Sequence, residues 1–293
     1  MTFPDGAVAC ACLVAGMLYG LLGSLAFLRR QSLRGDVLAH AAWPGVLVAF
    51  LVTGQRSPLI LAAGALFFSI VFGALISSIE KLFPRLKGDG APALLLSGSF
   101  ALGSVLWSLM QRRVEGLGQA GLKSFLLGQA AAVQWPDVWT LLVVLLVAGG
   151  TVVLFQRDIA SILFDRDHAL LQGKPVLAIE WLLDLLLALG VVTGLTIVGM
   201  VVLSALLVAI PLAARPFTHR FGPFVLFSTL AGILVGLATP WLVIGLEQSF
   251  GRPGRGIPTG PIFVLLATLL AVFCTALARR SWLGKRPGGT VQP

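Results

Sequence analysis

Apolar runs of about twenty residues recur along the chain, broken by short stretches of glycine, proline and basic side chains. A helix rises about 1.5 Å per residue, so about 20 apolar residues cross the hydrocarbon layer of a bilayer. That length picks out candidate spans at 7–28, 36–53, 58–79, 91–110, 138–155, 176–194, 196–214, 222–244 and 261–278. Inside lipid every backbone polar group must be satisfied internally, and runs of this length do so as helices. The pattern therefore predicts an all-α, polytopic transmembrane helical bundle with eight or nine spanning helices. Residues 1–293 form a single membrane domain, because no polar stretch is long enough to fold separately.

One span is incomplete on apolar residues alone. Residues 41–52 are too few to cross, so the helix must start near Gly35 in Arg34-Gly-Asp-Val-Leu-Ala-His-Ala-Ala-Trp-Pro-Gly45. Asp36 and His40 are thereby drawn into the membrane segment, where their i, i+4 spacing puts them on one face. Ionisable groups at that depth are costly and line a pathway or find a partner. A carboxylate with an imidazole is also a ligand set for a divalent transition metal. The plainer reading of Asp36 is an N-cap at the interface.

Composition agrees with a membrane chain: 57% of the residues are hydrophobic and 11% charged, with a mean hydropathy of +0.96. Soluble domains carry about 25% charged residues. The first apolar run lacks a basic leader and reads as a spanning helix, not a cleavable signal. The three cysteines lie in apolar runs and suggest packing, not a disulfide framework. A net charge of +9 suits basic loops beside anionic lipid, with no need for a nucleic-acid partner. With nine crossings, fifteen of the 21 Lys and Arg residues, among them the loop residues Arg29, Arg34, Lys81, Arg166 and Arg215, fall on one side and six on the other. The basic side is cytoplasmic by the positive-inside rule, giving an N-terminus outside and a C-terminus inside.

The segment after the fifth span, residues 155–175, is too short and too charged to cross. Asp165 suits an N-cap, Gly173 a C-terminal stop and Pro175 a block to continuation. They bound a two-turn helix with Asp165, Ala169 and Gly173 at four-residue intervals. It fits either docking to a soluble partner or a place on the lipid surface. Glu180 and Asp184 form a second i, i+4 acidic pair, and Asp184 has no basic partner in its own helix. It is therefore either protonated or bonded to a neighbouring helix. Ser204, ahead of Pro211, faces a neighbouring helix or a pore. Gly16-x-x-x-Gly20 permits close helix packing, although 34 glycines make such matches common.

The chain contains no Gly-x-x-x-x-Gly-Lys-Ser/Thr pattern, so ATP hydrolysis is not expected of it. Gly116-Leu-Gly-Gln-Ala-Gly121 fits a dinucleotide pattern, but no strand precedes it. Of the three histidines, His168 belongs to the short helix and His219 to a basic loop.

Four stretches together resemble the permeases of zinc/manganese/iron ABC transporters. They are Gly35-Asp-Val-Leu-Ala-His-Ala-Ala-Trp-Pro-Gly45, Ser124-Phe-Leu-Leu-Gly128, Phe164-Asp-Arg-Asp-His-Ala-Leu-Leu-Gln-Gly173 and the run from Val198 to Arg215. They occur in the family order and cover nearly the whole chain. Two positions depart from the pattern: Arg166 replaces a proline and Leu212 an alanine. The resemblance implies an importer permease of the bacterial plasma (inner) membrane that pairs with a second copy or a close homologue. It also implies two cytoplasmic ATP-binding subunits, an extracytoplasmic metal-binding protein and no permanently bound cofactor. Asp36 and His40 then match positions that touch the transported Zn, Mn or Fe. The helix marked by Asp165, Ala169 and Gly173 matches the coupling helix that meets the ATPase. The competing class is a proton-coupled secondary carrier of the drug/metabolite type, in which Asp36, His40, Glu180 and Asp184 relay protons.

Overall fold

A computed structural model describes residues 6–29, 32–55, 57–86, 88–113, 133–195, 198–249 and 259–283. The Gly116–Gly121 pattern and the Ser124–Gly128 match lie outside these residues. Among the described residues the chain is helical, with turns and no strand. In chain order come α1 (Gly6–Leu28), α2 (Ser32–Thr53), α3 (Pro58–Leu82), α4 (Gly90–Arg113) and α5 (Trp135–Phe164). The short α6 (Arg166–Leu171) follows, then α7 (Val176–Leu195), α8 (Met200–Ala214), α9 (Phe221–Ser249) and α10 (Thr259–Leu283).

Eight of these helices are long and apolar enough to cross a membrane. The ninth expected span, 196–214, is realised as α8, whose 15 residues measure about 22 Å, short of a full crossing. It begins after Gly199, whose φ of +88° breaks the line from α7. The loop expected from residue 155 starts later, because α5 runs on as helix to Phe164. Ala148, Val152, Ile159 and Ile162 are buried at helical spacing, and this stripe carries α5 past its charged residues Arg157 and Asp158. A capping box fixes the other end of α5: the Asp137 carboxylate accepts from the Gln134 amide at 2.9 Å.

α1 and α2 form the centre of the bundle, with 72% and 67% of their membrane windows buried, against 17% for α4 and α10. Lipid is as apolar as leucine, so close backbone approach does much of the packing. Gly16 and Gly20 of α1 face Gly232 and Gly236 of α9. A Cβ on Gly232 would lie 2.0 Å from the Gly16 carbonyl oxygen, and one on Gly16 2.2 Å from that of Gly232. Ser228 Oγ seals the contact by donating to the Gly20 carbonyl at 2.6 Å. A second close approach, Gly45 against Gly64, joins α2 to α3.

Candidate metal-facing site and charged cluster

The first three turns of α2 carry the site. The helix starts at Ser32, so Asp36 is a helical residue and not the interfacial N-cap. Asp36 and His40 are both half-buried. The Asp36 carboxylate accepts a hydrogen bond from the Ser204 hydroxyl of α8 and lies within electrostatic reach of His40. Gly35 allows this approach, since a Cβ there would sit 3.0 Å from Leu207 of α8. The His40 ring meets Phe100 of α4 edge to face, with centroids 6.0 Å apart. Its Nδ1 is inaccessible and has no hydrogen-bond partner. Four residues on, Pro44 lacks the amide hydrogen that would bond the His40 carbonyl. One turn of α2 thus offers a carboxylate, an imidazole and a carbonyl released from the helix ladder. No group of three or more His, Cys, Asp or Glu side chains gathers among the described residues, so one copy supplies two ligating side chains here.

The other acidic pair divides its partners. Asp184 bonds to neighbouring helical segments, one of the two expected alternatives. It is 9% exposed and lies 2.6 Å from Arg29 Nη1 and 3.0 Å from Arg34 Nη2. Glu180, one turn earlier, accepts from Arg166 Nε at 2.8 Å. Sequence reasoning assigned Arg29 and Arg34 to loop charge and missed their role. The helix start expected near Gly35 left Arg34 just outside α2, whereas α2 begins at Ser32 and includes it.

α6 is built as expected at its ends. The Asp165 side chain accepts from the His168 amide at 2.9 Å, and Gly173 takes a φ of +72°. The bond to Glu180 holds the Arg166 guanidinium above its ordinary pKa. Ala169 is fully buried against the bundle, while Leu171 is 87% exposed. Asp165 and Gly173 shape the helix, and its outward apolar surface comes from Leu170 and Leu171. Arg29, Arg34, Lys81, Arg166 and Arg215, all assigned by sequence to the basic side, line one cleft of about 1120 Å³ at a single end of the bundle.

Eight helices long and apolar enough to cross a membrane, with a short capped helix at the basic end, fit a multi-pass membrane protein. The sequence matches the ABC 3 transport family over residues 6–278, and the chain belongs to that family. It is 35% identical over 260 residues to the zinc transport system membrane protein TroC of Treponema pallidum, covering 89% of this chain and 84% of the relative. It is 36% identical over 284 residues to the manganese transport system membrane protein MntC of Bacillus subtilis, covering 94% of this chain but 61% of that longer relative. The chelated iron transport system membrane protein YfeD of Yersinia pestis is 30% identical over 264 residues, covering 89% of this chain and 81% of the relative. The fold is that of PsaBC from Streptococcus pneumoniae, solved in complex with Fab: the TM-score is 0.75 at 24% identity, covering 95% of this chain and 94% of that one. An inward-facing metal-chelate type ABC transporter superposes with a TM-score of 0.67 at 19% identity, covering 92% and 85%.

Proposed function

We propose that two copies of this chain, or one copy and a close homologue, enclose the membrane pathway of an importer for a divalent first-row metal: zinc, manganese or iron. The observation that carries this reading is the Asp36–His40 pair, half-buried on one face of α2 with the His40 Nδ1 lacking any protein partner. Deprotonated carboxylate and imidazole suit such a cation. Two side chains per copy give four across a dimer axis, few enough for the ion to leave again. The relatives' names support the substrate class, since they describe zinc, manganese and chelated iron transport.

Energy comes from two separate ATP-binding subunits seated against α6. The sequence supports this division of labour, because it holds no phosphate-binding loop of its own. An extracytoplasmic binding protein delivers the ion. In this reading α6 and the basic cleft are cytoplasmic, as the distribution of Lys and Arg favours; Arg215, just after α8, lines that cleft, so the short α8 returns the chain to the cytoplasmic side, with the N-terminus outside and the C-terminus inside. The metal is cargo, and the permease keeps no resident cofactor.

The test is Mn(II) and Zn(II) uptake by proteoliposomes containing the assembled transporter. Asp36→Ala and His40→Ala should each abolish uptake while leaving the complex intact. Normal uptake by both variants would reject the assignment.

A further inference from the structure

Asp184 is a buried carboxylate that lies outside the metal-facing pair, and it is held more firmly than its place in α7 requires. Two guanidiniums converge on it, from Arg29 at 2.6 Å and Arg34 at 3.0 Å. Arg29 also donates to the Glu180 carbonyl at 3.0 Å. Arg34, 5% exposed, donates to Ser77 Oγ at 2.6 Å and to the Gly73 carbonyl at 3.3 Å. The cluster therefore ties the end of α1, the start of α2 and the last turns of α3 to α7. Buried ion pairs are poor stabilisers, because desolvation offsets their attraction, and apolar packing often does as well. What they provide here is direction: short contacts that fix where a helix starts.

Two geometrical facts give that fixing a target. Arg34 lies two residues before Asp36, whose carboxylate Ser204 holds from α8. One turn before Asp184, Glu180 binds Arg166, the first residue of α6, at 2.8 Å. Glu180 and Asp184 share one face of α7, so a single rigid turn carries both links.

We propose that Asp184 is a positioning residue for the metal-facing pair. With Arg29 and Arg34 it sets the first turn of α2, and with Glu180–Arg166 it completes a chain of ion pairs from α6 to Arg34, two residues before Asp36 in the same helix. A shift of α6 moves α7 through Glu180, and Asp184 passes the movement to Arg34 and so to Asp36 and His40. The inference rests on the reading that metal passes Asp36 and His40 and that α6 meets the ATP-binding subunits.

The experiment uses the complete transporter in proteoliposomes, with Mn(II) as the probe. Mn(II) uptake and ATP hydrolysis are measured together, and bound Mn(II) is followed by electron paramagnetic resonance. Arg166→Glu and Glu180→Arg should each cut Mn(II) moved per ATP hydrolysed at least fivefold. The reciprocal exchange of both should restore the ratio to within twofold. Asp184→Asn should lower uptake at least tenfold with ATP hydrolysis continuing and an altered Mn(II) spectrum, and Asp184→Glu should recover part of it. If Asp184→Asn does not fold, the Arg166–Glu180 exchange decides alone, since those side chains lie nearer the surface. Unchanged ratios in the single variants, alongside loss of uptake in Asp36→Ala, overturn the positioning role and leave the metal path standing. Normal uptake in Asp36→Ala sinks the metal path itself.

Discussion

The Ser204 hydroxyl donates a hydrogen bond to the Asp36 carboxylate and so ties α8 to the end of α2 that carries the candidate ligands. α8 is too short to cross by itself. Its hydroxyl adds a hydrogen bond to a half-buried carboxylate whose other neighbour is His40.

Groups that orient a metal ligand affect affinity nearly as much as the ligands do. Ser204→Ala should therefore weaken Mn(II) binding by about tenfold and slow uptake, with little change in thermal stability. Titration of the purified permease with Mn(II) checks this. An unchanged affinity would show that Asp36 is oriented without Ser204.

The α1–α9 contact allows no side chain. A Cβ on Gly232 would be 2.0 Å from the Gly16 carbonyl oxygen, and rigid backbone forms the obstacle. Gly232→Leu should lower the midpoint of thermal unfolding and reduce monodisperse protein, since overpacking costs about 1–3 kcal/mol even where side chains can move. Gly222→Ala, at a glycine with open space around its Cβ position, is the matched control.

Arg34 and Ser77 test the burial argument. Arg34→Ala leaves Asp184 with Arg29 alone and removes the bonds to Ser77 and Gly73. Loss of one partner from a buried pair costs about 3–5 kcal/mol. Ser77→Ala removes one hydrogen bond and should cost about 1 kcal/mol. Thermal or denaturant unfolding in detergent should rank the variants in that order.

On α6 the outward residue and the inward residue should behave oppositely. Leu171→Asp, at a site 87% exposed, should leave folding within about 0.5 kcal/mol and abolish co-purification of an ATP-binding subunit. Ala169→Leu, at a fully buried site, should destabilise the permease itself. Retention of the subunit by Leu171→Asp would move the docking surface elsewhere.

Much of this was legible in the residues. The apolar runs located the helices, because the bilayer sets a minimum length for each crossing. The shortfall of residues 41–52 placed Asp36 and His40 inside α2, and the structure starts that helix even earlier, at Ser32. Asp165 and Gly173 bounded α6 because caps act through local backbone geometry. The continuation of α5 to Phe164 was missed because charged side chains on one face hid the buried stripe on the other.

What the chain could not disclose was which helices meet. Hydrophobicity in lipid is nearly the same all round a helix, so it carries no information about neighbours. Only the packed bundle singled out Gly16–Gly232 among the 34 glycines, turned Ala169 inward and brought Ser204 to Asp36. The same holds for Asp184. Its sequence neighbours are apolar, and its partners Arg29 and Arg34 lie about 150 residues away, brought within 3.0 Å by the packing of α7 against the end of α1 and the start of α2.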